Sequence, residues 1–346
     1  MSVNDDDKIL WITRCPVPTT TGLAFGEGWF EPALASLGWT VETLQEERNS
    51  GLRLAHFRHD LVGLVREGGN IPPLWARADG ADTVVVALTW VDERQAILAR
   101  PDAAIVSPGD LRGKRFGLVR TDDPATDFQR AMALHGLATA LSIGGVTRDE
   151  VEIVEYPAAP LAGWNDRSRP NGALDALLRG EVDAIYAKGA QGALIEREHK
   201  LDVVTDINAQ TDPKLRINNG TPRPVTFHRE FLKRHRHVVV TYLAVLLQAA
   251  EWALSHPEQT RATLARETGS DEASVLAAYG PDLHLNLSLN LDVDRIEALR
   301  LQKDFLRDWS LIDADIDIDA WIDGGPLAEA RELARRGDLR RLLAAA

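Results

Sequence analysis

Cysteine occurs once in this chain of 346 residues, at Cys15, in a context that suits acid–base or nucleophilic chemistry. It lies in the segment Thr13–Gly22, between a predicted strand and a predicted helix. Backbone N–H groups and the helix dipole at a helix start favour an anion, including a thiolate. The same pattern also fits a buried cysteine that packs as a small apolar residue. Both interpretations stay open at this point.

Two later segments add groups that bind anions or move protons. His56 opens the stretch HFRHD, and a histidine can transfer protons near neutral pH or set the protonation state of a thiol. Arg66 precedes Gly68 and Gly69 in the stretch REGGNIPP. A guanidinium matches a two-oxygen anion, and glycines allow close backbone approach. A structural histidine and a glycine-rich turn beside a surface arginine are the alternatives.

The elements that must position these residues follow from apolar periodicity. Strands are predicted over Lys8–Thr13, Thr40–Leu44 and Thr83–Thr89, and helices over Leu23–Leu37 and Pro72–Ala78. This β-α-β-α-β order predicts a parallel sheet covered by helices. Loops that follow neighbouring parallel strands meet at one edge of the sheet, so the candidate residues should converge there.

A second α/β series begins near residue 100, and helical spacing predominates from Arg229 onwards. The predicted strands are Phe116–Val119, Val151–Tyr156, Val182–Tyr186 and Val203–Val204. The predicted helices are Asp127–Leu141, Gly172–Leu178, Val238–His256, Ile296–Trp309 and Pro326–Leu343. We therefore predict an α/β fold of two lobes with a cleft between them. Residues 1–98 and 225–346 form the first lobe, which carries the candidate residues, and residues 99–224 form the second.

Composition excludes several classes of function. The formal net charge of −13 argues against a nucleic-acid-binding protein. A single cysteine excludes a disulfide framework and a cysteine-cluster metal site, and no nucleotide-binding motif occurs. We therefore expect no metal and no cofactor. The chain shows neither a signal-peptide pattern nor a long apolar run, so we expect a cytoplasmic protein without membrane insertion. We expect a monomer because the cleft needs only one chain.

Three motifs together resemble a known enzyme family. CPVP at Cys15–Pro18, HFxxD at His56–Asp60 and RxGGxIPPL at Arg66–Leu74 resemble the 2'-hydroxybiphenyl-2-sulfinate desulfinase family of dibenzothiophene desulfurisation. That family has the type II periplasmic-binding-protein fold, alongside nitrate, taurine and aliphatic-sulfonate binding proteins. DLRGKRFGLV at Asp110–Val119 and LLRGEVDAIYA at Leu177–Ala187 are similar to the wider superfamily.

The resemblance implies a role for individual residues. Cys15 takes the place of the catalytic cysteine, His56 that of the active-site histidine and Arg66 that of the sulfinate-binding arginine. Gly69 takes the place of a glycine whose N–H faces the substrate oxygens. Substrate contacts are also implied for a further group of residues, namely Gly68, Phe57 in the aromatic wall, and His59.

Two positions depart from the family pattern. The family's enzyme has tyrosine where this chain has His59, and an aromatic residue where it has Glu67. Both changes predict a more polar pocket mouth, which leaves the organic group of the substrate open.

Three functions are therefore considered. The first is a cysteine-dependent desulfinase that hydrolyses the carbon–sulfur bond of an aryl sulfinate and releases sulfite. The second is a solute-binding protein for a small organic anion such as a sulfonate, serving a transporter or sensor. The third, a thiamin-type pyrimidine-precursor synthase, shares the fold but carries clustered cysteines and extra histidines that this chain lacks. The first hypothesis accounts for most of the candidate residues.

Overall fold

In the computed structural model, residues 8–47, 50–158 and 172–337 are described, and they form two mixed β-sheets with helices. The strands are β1 (Ile9–Arg14), β2 (Thr40–Thr43), β3 (Leu64–Glu67), β4 (Thr83–Thr89), β5 (Gln95–Ala99), β6 (Arg115–Arg120), β7 (Glu152–Pro157), β8 (Ala184–Lys188), β9 (Asp202–Asp206), β10 (Arg223–His228) and β11 (Leu289–Asn290). The helices of the first half are α1 (Thr20–Gly26), α2 (Phe30–Ala35), α3 (Ser50–Arg53), α4 (Ala55–Arg58), α5 (Ile71–Ala78), α6 (Phe128–Gly144) and α7 (Gly172–Arg179). Those of the second half are α8 (Gly189–His199), α9 (Arg229–Arg234), α10 (Arg236–Ala253), α11 (Pro257–Glu267), α12 (Glu272–Tyr279), α13 (Val293–Asp308), α14 (Ile318–Trp321) and α15 (Gly325–Arg335).

The first sheet has the strand order β11-β4-β10-β3-β1-β2. Strand β1 runs parallel to β2 and β3, whereas β10 lies antiparallel between β3 and β4. The predicted strands at β1, β2 and β4 are confirmed. The prediction of a purely parallel sheet is wrong, because β10 and β11 return from the second half of the chain and pair antiparallel.

The second sheet has the order β7-β6-β8-β5-β9. Strand β6 is parallel to β7 and β8, and β5 is antiparallel to β8 and β9. Apolar side chains between this sheet and its helices form a core that includes Leu98, Leu177 and Ile185. Strand β5 is uniformly buried, so its sequence lacks the alternation that marks a half-exposed strand.

Two compact units contain these sheets. The first consists of Met1–Val91, Gly220–Gly269 and Pro281–Ala346, and the second of Asp92–Asn219 and Ser270–Gly280. The lobe boundaries predicted from the sequence, at residues 98 and 224, differ from the boundaries of these two units. Strand β5 belongs with the second sheet because it pairs with β8 and β9, and α12 packs against α8 of the same unit.

Two predicted helices differ from those observed. The helix predicted over Leu23–Leu37 is interrupted between α1 and α2, where Gly28 adopts a φ of 73°, a left-handed conformation that ends a helix. The helix predicted over Pro326–Leu343 corresponds to α15, and its predicted end lies outside the described residues. In the part of the chain that is described, no helix has the length and apolar character needed to span a membrane.

A fully buried carboxylate, that of Glu67 at the end of β3, fixes the start of α1. Its oxygens accept hydrogen bonds from the Thr21 N–H at 2.7 Å, the Thr21 hydroxyl at 2.6 Å and the Thr89 hydroxyl at 2.8 Å. The Thr20 N–H donates a longer bond of 3.3 Å. The carboxylate thus satisfies N–H groups that have no partner within the helix.

Replacing Glu67 by glutamine is expected to destabilise the protein. The amide cannot accept all of these hydrogen bonds, and its own N–H2 would face N–H donors at the start of α1. We expect the free energy of unfolding to fall by about 2–4 kcal/mol, measured by urea denaturation. The exposed Glu42→Gln on β2 is the matched control and should leave stability within about 0.5 kcal/mol of wild type. Equal stability of the two variants would contradict the role assigned to Glu67.

Candidate active site

Cys15 and His56 lie together at the carboxyl end of β1. Cys15 follows the last residue of that strand, and His56 lies on the short helix α4. The Sγ atom is 3.8 Å from His56 Nε2, and both side chains are buried. A thiol and an imidazole at this separation can share a proton.

Thr13 holds the other side of the imidazole. Its Oγ1 lies 2.6 Å from His56 Nδ1, and Thr13 is fully buried. Among the described residues the hydroxyl has no other hydrogen-bond partner, so accepting from Nδ1 would leave its own hydrogen unsatisfied. We therefore assign the hydroxyl as donor to Nδ1. The proton of the neutral imidazole then lies on Nε2 and points towards the sulfur.

Arg66 on β3 places a buried positive charge beside this pair. Its side chain is only 1% exposed, and Nη1 donates a hydrogen bond of 2.7 Å to the carbonyl of Gly69. Within the described ranges no carboxylate lies within ion-pair distance, and Nε has no hydrogen-bond partner. Burial lowers the pKa of Arg66 from its ordinary value, and attraction to Cys15 acts in the opposite direction. A buried guanidinium without a counter-charge can bind an anion.

Gly68 brings the thiol and the guanidinium side by side. A Cβ built on Gly68 would lie 2.0 Å from Cys15 Sγ and 3.5 Å from Arg66 Cζ, so no larger residue fits without displacing the sulfur. The N–H groups of Gly68 and Gly69 are buried, and neither donates to an acceptor within the part of the chain that is described. They are further donors for an anion at this edge of the sheet.

His59 presents a second neutral imidazole near Arg66. It ends α4 with a φ of 51°, and its Nδ1 lies 3.2 Å from the Phe57 carbonyl, which can only accept. Nδ1 therefore carries the proton, and the buried Nε2 has no hydrogen-bond partner among the described residues. Burial, and next the charge of Arg66, lower the pKa of His59 to about 3.

His56 is also held neutral. Burial, followed by the charges of Arg66 and His59, lowers the pKa of His56 well below its ordinary value. Phe57 packs edge-on against the His56 ring, with ring centroids 4.7 Å apart. His228 on β10 contacts the His59 carbonyl, and burial lowers its pKa as well. Near neutral pH, Arg66 is therefore the charged member of this group.

The structure brings together all seven residues singled out in the sequence, namely Cys15, His56, Phe57, His59, Arg66, Gly68 and Gly69. Two of the detailed expectations are wrong. Cys15 lies between β1 and α1 as expected, but the first N–H groups of α1 do not face its sulfur, because they donate to Glu67 and to the N-cap Thr19. Glu67 does not make a pocket mouth polar, because it is completely buried and hydrogen-bonded.

Sequence reasoning missed Thr13 and Arg223. Arg223 at the start of β10 is fully buried, and its Nη1 donates to the carbonyl of Pro18, in the loop that carries Cys15. Its Nε and Nη2 have no hydrogen-bond partner among the described residues. Arg223 stands in the stretch TPRP at residues 221–224, and nothing in this local sequence indicates that it joins the sheet beside β3.

Taken together, the arrangement can bind an oxyanion against a thiol that shares a proton with a neutral histidine. No group of three or more histidine, cysteine, aspartate or glutamate side chains within residues 8–47, 50–158 and 172–337 is arranged to hold a metal ion. The chemistry available from these side chains is anion binding, proton transfer and sulfur nucleophilicity.

Solved structures with the same fold bind sulfur oxyanions. The complex of a cysteine-to-serine variant of DszB with biphenyl-2-sulfinic acid superposes with a TM-score of 0.75 at 22% identity, covering 94% of this chain and 99% of that one. The periplasmic sulfonate-binding protein SsuA of Methylobacillus flagellatus KT gives a TM-score of 0.71 at 17% identity, covering 95% and 96%. These similarities confirm the predicted periplasmic-binding-protein-like α/β fold.

Curated relatives and a family model complete the comparison. The chain is 24% identical over 348 residues to the 2'-hydroxybiphenyl-2-sulfinate desulfinase of Rhodococcus erythropolis, and the alignment covers 90% of each protein. The family model described as NMT1/THI5 like matches residues 70–260. Because this match spans more than half of the chain, the protein belongs to the NMT1/THI5-like family.

Proposed function

We propose that this protein is a cysteine-dependent desulfinase that hydrolyses the carbon–sulfur bond of an aryl or related organic sulfinate. One observation carries the proposal: a buried guanidinium, Arg66, has no carboxylate partner among the described residues and lies beside the Cys15–His56 pair. Burying such a charge is costly unless a ligand supplies the opposite charge. A thiol and a histidine next to that ligand add the means to move a proton.

The relatives support a sulfur oxyanion as the ligand. The curated relatives are named desulfinases of 2'-hydroxybiphenyl-2-sulfinate, and the DszB variant structure holds biphenyl-2-sulfinic acid. We infer that a sulfinate binds here with its oxygens on Arg66 and on the N–H groups of Gly68 and Gly69. Phe57 and His59 then contact the organic group. This arrangement holds the negative charge in place while the carbon–sulfur bond breaks.

The net reaction needs only water and a proton relay. An aryl sulfinate, ArSO2⁻, and water give the arene ArH and bisulfite, HSO3⁻. In one route the Cys15 thiol protonates the ring carbon, SO2 leaves and water converts it to bisulfite. In the other the Cys15 thiolate attacks sulfur, the aryl group leaves and takes a proton, and water releases bisulfite from the S–SO2⁻ adduct. Neither route requires a metal or an organic cofactor.

Removing the Arg66 guanidinium should weaken binding and lower turnover. We expect Arg66→Lys to weaken aryl sulfinate binding by about 30-fold or more, because an ammonium cannot offer two parallel hydrogen bonds. Thermal shift with biphenyl-2-sulfinate and benzenesulfinate, together with a colorimetric sulfite assay, measures both effects. The exposed Arg58→Lys on α4 is the matched control and should behave as wild type. Sulfite release by Arg66→Lys at the wild-type rate would refute the anion site.

Replacing Cys15 should separate binding from chemistry. We expect Cys15→Ser to retain sulfinate binding within a few-fold and to release no sulfite, since serine is neither a comparable acid nor a comparable nucleophile. Rapid quenching and mass spectrometry of the wild-type protein then distinguish the routes, because only nucleophilic attack leaves SO2 on Cys15. Unchanged sulfite release by Cys15→Ser would rule out a cysteine-dependent mechanism altogether.

A solute-binding protein for an organic sulfonate is the second candidate. It is favoured by the similarity in fold to the periplasmic sulfonate-binding protein SsuA. The two functions share Arg66 and differ at Cys15. A protein that binds aryl sulfonates tightly, releases no sulfite from any sulfinate and is unaffected by Cys15→Ser would be a binding protein.

The neutral histidines predict how stability depends on pH. The pKa of His59 is about 3 in the folded protein, against an ordinary value near 6.5 in the unfolded chain. Between these values the unfolded chain binds a proton that the folded protein does not, so the free energy of unfolding falls as the pH is lowered. For this one group the loss approaches about 1.4 kcal/mol per pH unit below pH 6.

His59→Asn should remove this contribution while tolerating the left-handed backbone at position 59. We expect the stability of this variant to fall less steeply than that of wild type between about pH 6 and 4, measured by urea unfolding. The exposed His199→Asn is the control and should retain the wild-type slope. Parallel slopes for wild type and His59→Asn would show that His59 is protonated in the folded protein.

A further inference from the structure

The charges around Cys15 are few and fixed. Arg66 on β3 is the cation beside Sγ, while His56 on α4 and His59 at its end have lowered pKa values and stay neutral. Arg14, which precedes Cys15, is paired with Glu267 at 2.8 Å and Glu46 at 3.6 Å.

Three further charged or titratable groups lie on neighbouring strands. Arg223 on β10 is a second buried cation, and its Nη1 donates to the carbonyl of Pro18 in the loop that carries Cys15. The carboxylate of Glu67 on β3 is directed to the start of α1 and is saturated there. His228 on β10 contacts the carbonyl of His59 rather than its ring, and it too has a lowered pKa. Among the described residues around Sγ, Cys15 is therefore the group that can supply a negative charge to Arg66.

Placing a Cys15 thiolate and a bound sulfinate next to Arg66 at the same time is unfavourable in free energy. A Cβ built on Gly68 would lie 2.0 Å from Cys15 Sγ and 3.5 Å from Arg66 Cζ. An anion bound to Arg66 therefore lies next to Sγ. Two like charges in contact in a buried site repel strongly. One of them must be neutralised, and the sulfinate, as the anion of a strong acid, is not the group that takes the proton.

We propose that the Cys15 thiolate and the substrate anion compete for Arg66, so that anion binding proceeds with uptake of one proton by Cys15. This inference rests on the proposed function and adds a property of the same site. The bond formed is S–H, the proton comes from solvent, and no other group changes its protonation state. Binding thus loads the thiol with the proton that the ring carbon gains in the first of the two routes.

The competition gives a definite dependence on pH. Where the free protein holds the thiol, binding takes up no proton and affinity is independent of pH. Where the free protein holds the thiolate, each bound anion takes up one proton and affinity falls about tenfold per pH unit. Because the complex favours the protonated form of Cys15, the affinity for the anion is highest at low pH.

Isothermal titration calorimetry tests the proposal directly. Benzenesulfonate and biphenyl-2-sulfonate, which are not sulfinates and give no turnover, serve as probes with the full-length protein. Titrations at several pH values between about 6 and 9, each in two buffers of different ionisation enthalpy, give the number of protons taken up. Ultraviolet thiolate absorbance, followed in the same titrations, identifies the group that is protonated.

We expect each proton that wild type takes up on binding the anion to be matched by the loss of one thiolate in the ultraviolet absorbance. Cys15→Ser should bind with no proton uptake and with an affinity independent of pH. His56→Gln should still show uptake at Cys15, because the imidazole is not the proton acceptor. Uptake retained in Cys15→Ser, or binding by wild type without uptake at a pH where the absorbance shows a thiolate in the free protein, would overturn the competition while leaving the anion site intact. Failure of wild type to bind any sulfonate or sulfinate would overturn the anion site itself.

Discussion

The buried charge of Arg66 is the constraint to which the rest of the site responds. Successive residues of a strand point to opposite faces of a sheet, so Arg66 and its neighbour Glu67 are directed apart although they are adjacent in sequence. The carboxylate of Glu67 accepts hydrogen bonds from the start of α1, whereas the guanidinium of Arg66 lies beside Cys15. The two side chains therefore do not pair with each other, and the guanidinium has no carboxylate partner among the described residues.

Anion binding and catalysis, the two functions considered for this protein, depend on different groups of the site. An anion cradle made of a guanidinium and glycine N–H groups is sufficient for a binding protein. In addition to these groups, this chain has a line of contacts from Thr13 through His56 to Cys15. The addition lies on β1 and α4, next to the cradle rather than within it. Chemistry can therefore be gained or lost in such a fold without disturbing recognition of the anion.

Much of this site was predictable from sequence because parallel strands place their following loops at one edge. That rule, applied to β1 and the segment after β2, was enough to group Cys15, His56 and Arg66. Strand β3 escaped recognition because half of its four residues, Arg66 and Glu67, are charged, and charged residues are depleted in strands. Thr13 and Arg223 escaped because their partners are distant in sequence: Thr13 lies 43 residues from His56 and Arg223 lies 205 residues from Pro18. Contacts of that kind depend on the tertiary fold and leave no local pattern.

The position of β10 has a consequence for how the molecule is made. This strand separates β3 from β4 in the sheet, yet it follows them in the chain only after the second sheet has been completed. As the chain leaves the ribosome, the first sheet therefore lacks a central strand, and β3 and β4 expose unpaired edges until residues 223–228 emerge. Such non-local pairing is slow, and open edges invite association between chains. Strand β3, which carries Arg66, therefore gains this second neighbour only after about two thirds of the chain has been synthesised.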